Sequence, residues 1–116
     1  MTNKRLSTRY YSKQQENAVA KLTGGKTTPN SGARPYQKGD ATTAGHMEDS
    51  WMFECKTCMT PKQSFAIKKQ WLNTLKEEAF QAGKMNYALV FSFGPKQENY
   101  YILSEQKFKE LFDDEV

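Results

Sequence analysis

One histidine and two cysteines are all that this 116-residue chain offers as imidazole or thiolate ligands. A structural zinc site needs about four such groups, so the C-x-x-C spacing of Cys55 and Cys58 does not read as one. Residues three apart on a strand also point to opposite faces. Two cysteines are too few for a disulfide scaffold and fit free thiols in a reducing compartment. His46 falls in a turn-rich spacer and reads as an exposed polar residue. Long apolar runs are missing as well: none approaches the ~20 residues of a membrane span. The polar start "MTNKRLSTRYYSKQQ" lacks the apolar stretch of a secretory signal. The expectation is a cytoplasmic protein with no membrane partner.

What is present suits one domain, spanning 1–116, with 1–11 and 113–116 as loose ends. The net charge of +4 is unevenly spread. Residues 1–70 carry twelve Lys/Arg against five Asp/Glu, whereas 71–116 carry five against eight. A basic half suggests a polyanionic partner, although charge alone also serves solubility.

Along the chain, "SKQQ" offers Ser12 as a helix cap with Gln15 reaching back. A helix follows from about Lys13, with Ala18, Val19 and Leu22 as its apolar stripe, and "TGGKTTPNSG" ends it. Glu16, one turn before Val19, sits at the edge of the buried face. Gly24 to Lys38 reads as a loop carrying Lys26, Arg34 and Lys38 without an acid, a composition able to follow a phosphate backbone. "GDATTA" and "SWMFECKTC", separated by "GHMED", form a β-hairpin. "SFAIKKQWLNTLKEEAFQAGK" predicts the longest helix, with Ile67, Trp71, Leu72, Leu75 and Ala79 on one face and Gly83 closing it. "YALVFSFG" and "NYYILS" follow as strands. Ser104 then caps a final helix that turns Phe108, Leu111 and Phe112 inward. The order is αββαββα, an α/β (α+β) chain with a small central mixed sheet flanked by helices.

Within the hairpin, Trp51, Phe53 and Cys55 share one strand face and Glu54 and Lys56 the other. A turn around Met47 makes the residue numbers of each cross-strand pair total about 94, so Asp40 stands opposite Glu54. Two carboxylates ~5 Å apart at their β-carbons repel. A divalent cation held between them removes the conflict, and Mg²⁺ prefers hard oxygen ligands while keeping several waters. Lys56 beside them suits an attacking water and a charged phosphoryl transition state. The pattern is metal-assisted phosphodiester hydrolysis. Its competitor is a structural ion pair of Lys56 with Asp40 or Glu54 on a solvated face.

"QENAVAKLTGG" with Glu16, "NSGA" at Asn30 to Ala33, "KGD" ending in Asp40, "FECK" with Glu54 and Lys56, and "SFAIKKQWL" together resemble the PD-(D/E)XK nuclease superfamily. Within it they resemble the archaeal-type and phage-type Holliday junction resolvases, over about Gln14 to Phe112. The resemblance implies a restriction-endonuclease-like core. It implies Mg²⁺, with Mn²⁺ as a substitute, bound by Asp40, Glu54 and the Cys55 carbonyl. Lys56 would serve the nucleophilic water, Glu16 would be the additional helix carboxylate, and Ser31 the hydroxyl brought near the site by a loop. Family members often have Pro before the Asp, where this chain has Gly39.

The expected function is a Mg²⁺-dependent endonuclease of branched DNA, a Holliday junction resolvase leaving the phosphate on the 5′ side. Its alternatives are the same chemistry on another DNA substrate (nicking, restriction-like or single-strand processing) and an inactive DNA-binding module. Lys26, Ser31, Arg34, Lys38, Lys68 and Gln70 are the candidate DNA contacts. Two opposed cuts by so small a chain imply a homodimer, with Phe80 or Phe65 as candidates for its surface.

Overall fold

The computed structural model describes residues 8–28, 40–43 and 50–113. It is a mixed α+β structure of three helices around a five-stranded sheet in the order β1-β2-β3-β4-β5. Helix α1 covers Thr8–Thr23, so it begins a turn before the expected start, and residues 8–11 belong to it and not to a loose end. Ser12 is therefore inside the helix and caps nothing; its hydroxyl lies 3.1 Å from that of Thr57. The buried stripe of α1 runs through Gln15 and Val19, while Ala18 and Leu22 face outward. Gln15 and Val19 are one turn apart and meet the sheet together. Val19 is common to the expected and observed stripes, and Gln15 gives no hydrophobic signal because it is polar.

Strand β1 (Lys26–Thr27) lies inside the segment expected to be loop, which makes the order αβββαββα. Two residues are too few to show a period of two, so pattern cannot reveal them. The backbone does the work: Gly24 turns the chain at φ +74°, and Gly25 lies so close to the Thr42 carbonyl oxygen that a Cβ there would sit 2.5 Å from it. β1 pairs antiparallel with β2 (Ala41–Thr42), which pairs antiparallel with β3 (Trp51–Lys56).

Helix α2 (Lys69–Gln81) carries the chain to β4 (Asn86–Phe91), parallel to β3 along its whole length. Shorter than the 16-residue α1, α2 has 13 residues and starts after Ile67, which is exposed. Lys68 is its N-cap, with extended backbone at ψ 129°. Gly83, at φ +74°, follows the C-terminal end as expected. β5 (Tyr100–Ile102) pairs antiparallel with β4, and α3 (Glu105–Asp113) ends the described chain.

The alternation of β3 sorts the core. Phe53 and Cys55 pack with Val19, Ala41, Ala88 and Val90 under α1, while Met52 packs with Leu75, Ala79 and Leu89 under α2. Phe65 stacks on Phe91 at 5.0 Å between centroids and is half-buried, leaving Phe80, 83% exposed, on the surface. Ser104 does cap α3, its Oγ accepting from the Lys107 N–H at 3.1 Å. The inward face expected of α3 is not buried: Phe108, Leu111 and Phe112 are 55%, 51% and 67% exposed. An amphipathic period marks a face that wants cover, not where the cover comes from. Among the described residues, no helix is long and apolar enough to cross a membrane.

Candidate metal and phosphodiester site

Ala41 pairs with Phe53 and Thr42 with Met52, each pair of numbers adding to the expected 94. Asp40, next in line, donates its N–H to the Phe53 carbonyl at 2.8 Å. Its Oδ2 accepts the Cys55 N–H at 2.7 Å. The acid is thereby clamped to the backbone of the strand that bears Glu54. Met47 and His46, in the expected turn, lie outside the described residues, as do Ser31, Arg34, Lys38 and Gly39.

Glu54 and Lys56 project from the face of β3 that α2 covers, and their side chains meet at 3.4 Å. Trp71, in the first turn of α2, lies under the ammonium, whose nitrogen is 4.4 Å from the ring centroid. Thr74 and Glu78 continue that helix face, and with Gln70 they line a cleft of about 310 Å³ against Glu54 and Lys56. Lys68 reaches the same ring more distantly, at 5.8 Å. Lys26 is exposed on the edge strand β1, away from that cleft.

Charge in this region is in surplus on the negative side. Burial pushes the Glu54 carboxyl up to about 7; Asp40 adds repulsion, Lys56 opposes it, and Glu78 adds a smaller push. Glu16, half-buried on α1, is also raised, first by burial and then by Asp40, with Lys13 and Arg9 lowering it. Cys55 is buried, and burial, then Asp40, Glu16 and Glu54, drive its thiol well above the ordinary range, so it stays neutral. Asp40 is the common neighbour of all three groups.

The donor set is one of hard oxygens, the chemistry Mg²⁺ favours. Among the described residues no three His, Cys, Asp or Glu groups stand together as a ready-made cage. Lys56 lies on Glu54 and the Cys55 N–H on Asp40. An ion that keeps most of its shell as water needs few protein ligands, and Asp40 and Glu54 offer it hard carboxylate oxygens.

Sequence reasoning assigns no site role to four residues that the structure puts in this cleft (Thr74, Glu78) or behind the end of β3 (Gln15, Thr57). Glu78 and Thr74 follow Trp71 by seven and three positions, a helical spacing that was readable had Trp71 been taken as part of the site and not only as core. Gln15 is read from the sequence only as a capping partner of Ser12, and Thr57 gave no signal. Gln15 Nε2 donates to the Lys56 carbonyl and to Asn99 Oδ1, both at 3.2 Å, and its Oε1 accepts from the Thr57 hydroxyl at 3.0 Å. Neither Cys55 nor Cys58 is bonded to the other; both are free and buried.

No family model, curated protein or solved structure matches this chain.

Proposed function

We propose that this protein is a Mg²⁺-dependent DNA endonuclease of the PD-(D/E)XK type with a restriction-endonuclease-like core, acting on branched DNA as a junction resolvase. The observation that carries the reading is the register of β2 on β3. It sets the Asp40 carboxylate against the backbone of the segment bearing Glu54 and Lys56. A structural ion pair would need only Lys56 and Glu54; it gives no reason for a second acid that raises the first.

Asp40, Glu54 and the Cys55 carbonyl would hold the ion, with Glu16 as a further carboxylate. When bound, Mg²⁺ supplies charge neutralisation at the phosphate and a more acidic water. The chain's own part is positional. Glu54 must be ionised to act, and Lys56 beside it favours that form. The Lys56 ammonium, steadied on Trp71, would orient a water and face charge developing on the phosphoryl oxygens. The water oxygen bonds to phosphorus, the P–O3′ bond breaks, and a proton passes to the leaving 3′ oxygen. The products are a 5′ phosphate and a 3′ hydroxyl.

Paired cuts on opposed strands call for two copies, and the exposed apolar residues Phe80, Phe108, Leu111 and Phe112 are available for such a contact. The test incubates the protein with labelled four-way junction, linear duplex and single strand in Mg²⁺, beside Asp40→Asn and Lys56→Ala. Junction cutting by wild type alone, with both variants still binding, is expected. Cutting by Asp40→Asn at the wild-type rate removes the metal site. Duplex cut as fast as junction moves the substrate to the alternative, a nuclease of the same chemistry on unbranched DNA.

A further inference from the structure

A second cavity, of about 290 Å³, lies on the other side of β3, beyond the carboxyl ends of the two parallel strands. Thr57 and Cys58 follow β3 there, and Ser92 and Gly94 follow β4. Crevices outside the carboxyl ends of parallel strands are where open sheets receive ligands. Its walls are unusual in chemistry: Tyr11, Gln14, Gln97 and Asn99 line it, with Lys96 as its single cation among the described residues.

These groups are arranged, not scattered. Gln15 is buried and spends both N–H donors and its oxygen on Lys56, Asn99 and Thr57. That fixes the Asn99 carboxamide by its oxygen and leaves its two N–H donors without a partner among the described residues. Tyr11 is braced edge-on by Tyr10 at 5.3 Å, and the Tyr10 hydroxyl in turn accepts from Gln14 Nε2 at 3.2 Å. Lys96 is held at φ +61°, a conformation uncommon for any residue but glycine.

An anion would want more than one cation. Neutral amides that offer donors and acceptors together, beside an aromatic face, suit the edge and face of a nucleobase. Position agrees with that choice. Gln15 donates to the Lys56 carbonyl, so the network that builds this cavity holds the backbone of a proposed catalytic residue whose side chain lies across β3. We infer that this cavity receives one unpaired nucleobase of the substrate strand, stacked on Tyr11 and read by Asn99 and Gln97, next to the phosphate that is cut. The placement beside the cut rests on the nuclease reading; the affinity for a base does not.

The experiment has two arms. In the first, side-chain amide resonances of the full chain are followed by NMR as deoxyadenosine, deoxyguanosine, deoxycytidine, thymidine, inorganic phosphate and glucose are added separately. At least one nucleoside should shift the Asn99 and Gln97 amides, and affinity should fall about tenfold in Tyr11→Leu. Asn99→Asp, which keeps the oxygen that Gln15 needs but removes both donors, should weaken it comparably while the fold, followed by circular dichroism, is unchanged. Silence from every nucleoside, or equal shifts from phosphate or glucose, overturns the proposal. In the second arm, junction and single-stranded substrates carry one abasic position stepped along the strand around the cut. One position should cost wild type about tenfold in rate and cost Asn99→Asp nothing further. Uniform cutting at all positions overturns the base site beside the cut while leaving the nuclease intact; nucleoside shifts without cutting of any DNA remove the nuclease and leave a base-binding cavity.

Discussion

The Asp40 carboxylate accepts the backbone N–H of Cys55 at 2.7 Å, so one side chain both pins β2 to β3 and sits among the acids of the proposed site. These two duties separate by mutation. Asp40→Asn keeps an oxygen acceptor for the Cys55 N–H and should unfold in urea within about 1 kcal/mol of wild type. Asp40→Ala leaves a part-buried donor unpaired and should cost about 1–3 kcal/mol. Equal stability of the two variants would show that the hydrogen bond contributes nothing.

Glu54 carries the pH dependence. Its folded value of about 7 lies above the ordinary 4.5, chiefly through burial and next through Asp40, with Lys56 opposing and Glu78 adding to the rise. The folded metal-free chain therefore binds a proton that the unfolded chain releases between those values. Its contribution to stability is fully present below 4.5 and is lost as pH rises through 7. Thermal midpoints taken in chelator should fall over that window in wild type, and Glu54→Gln should remove this part of the fall. Activity should run the other way, rising toward and through pH 7 as the carboxylate ionises. A rate flat from pH 5 to 8, with Glu54→Gln as active as wild type, would exclude Glu54 from the chemistry.

Removing Gln15 should be costly although it is polar. It joins α1 to the end of β3 and to the β4–β5 connection through Lys56, Thr57 and Asn99. Gln15→Ala strands these groups in a part-buried place and should cost about 2–4 kcal/mol by chemical denaturation. Gln14→Ala should cost well under that, since among the described residues the Gln14 amide reaches only the Tyr10 hydroxyl. A Gln15→Ala variant as stable as Gln14→Ala would mean that water replaces the network at no loss.

How far the sequence foretold all this depends on the range of each interaction. The alternation of "WMFECK" and the turn spacing gave both the two faces of β3 and its register on β2, because a period of two and a loop length are local quantities. Gly83 and Ser104 spoke for themselves as cap residues. β1 did not, since its two residues are held by partners fifteen or so positions away and by the room above Gly25. Gln15, read as a local cap partner, was misread for the same reason: its three partners lie 41, 42 and 84 residues along the chain. The face of α3 was legible as amphipathic and misleading as core, for periodicity does not say which surface, or whose, will cover Phe108 and Phe112.

Affinity for DNA offers the last prediction, because it tests the partner without asking for cleavage. Lys26 on the edge strand and Lys68 at the start of α2 are exposed cations on the basic half of the chain. Each phosphate neutralised releases condensed counterions, so the logarithm of the binding constant falls against the logarithm of salt with about 0.9 of slope per contact on duplex arms. Junction binding should weaken steeply between low and physiological salt. Lys26→Ala and Lys68→Ala should each flatten that slope by about one, across all sequences alike. Lys109→Ala, on the exposed acidic helix α3, is the control and should leave the slope unchanged. If the three variants behave alike, the basic half serves solubility and the DNA path must run elsewhere.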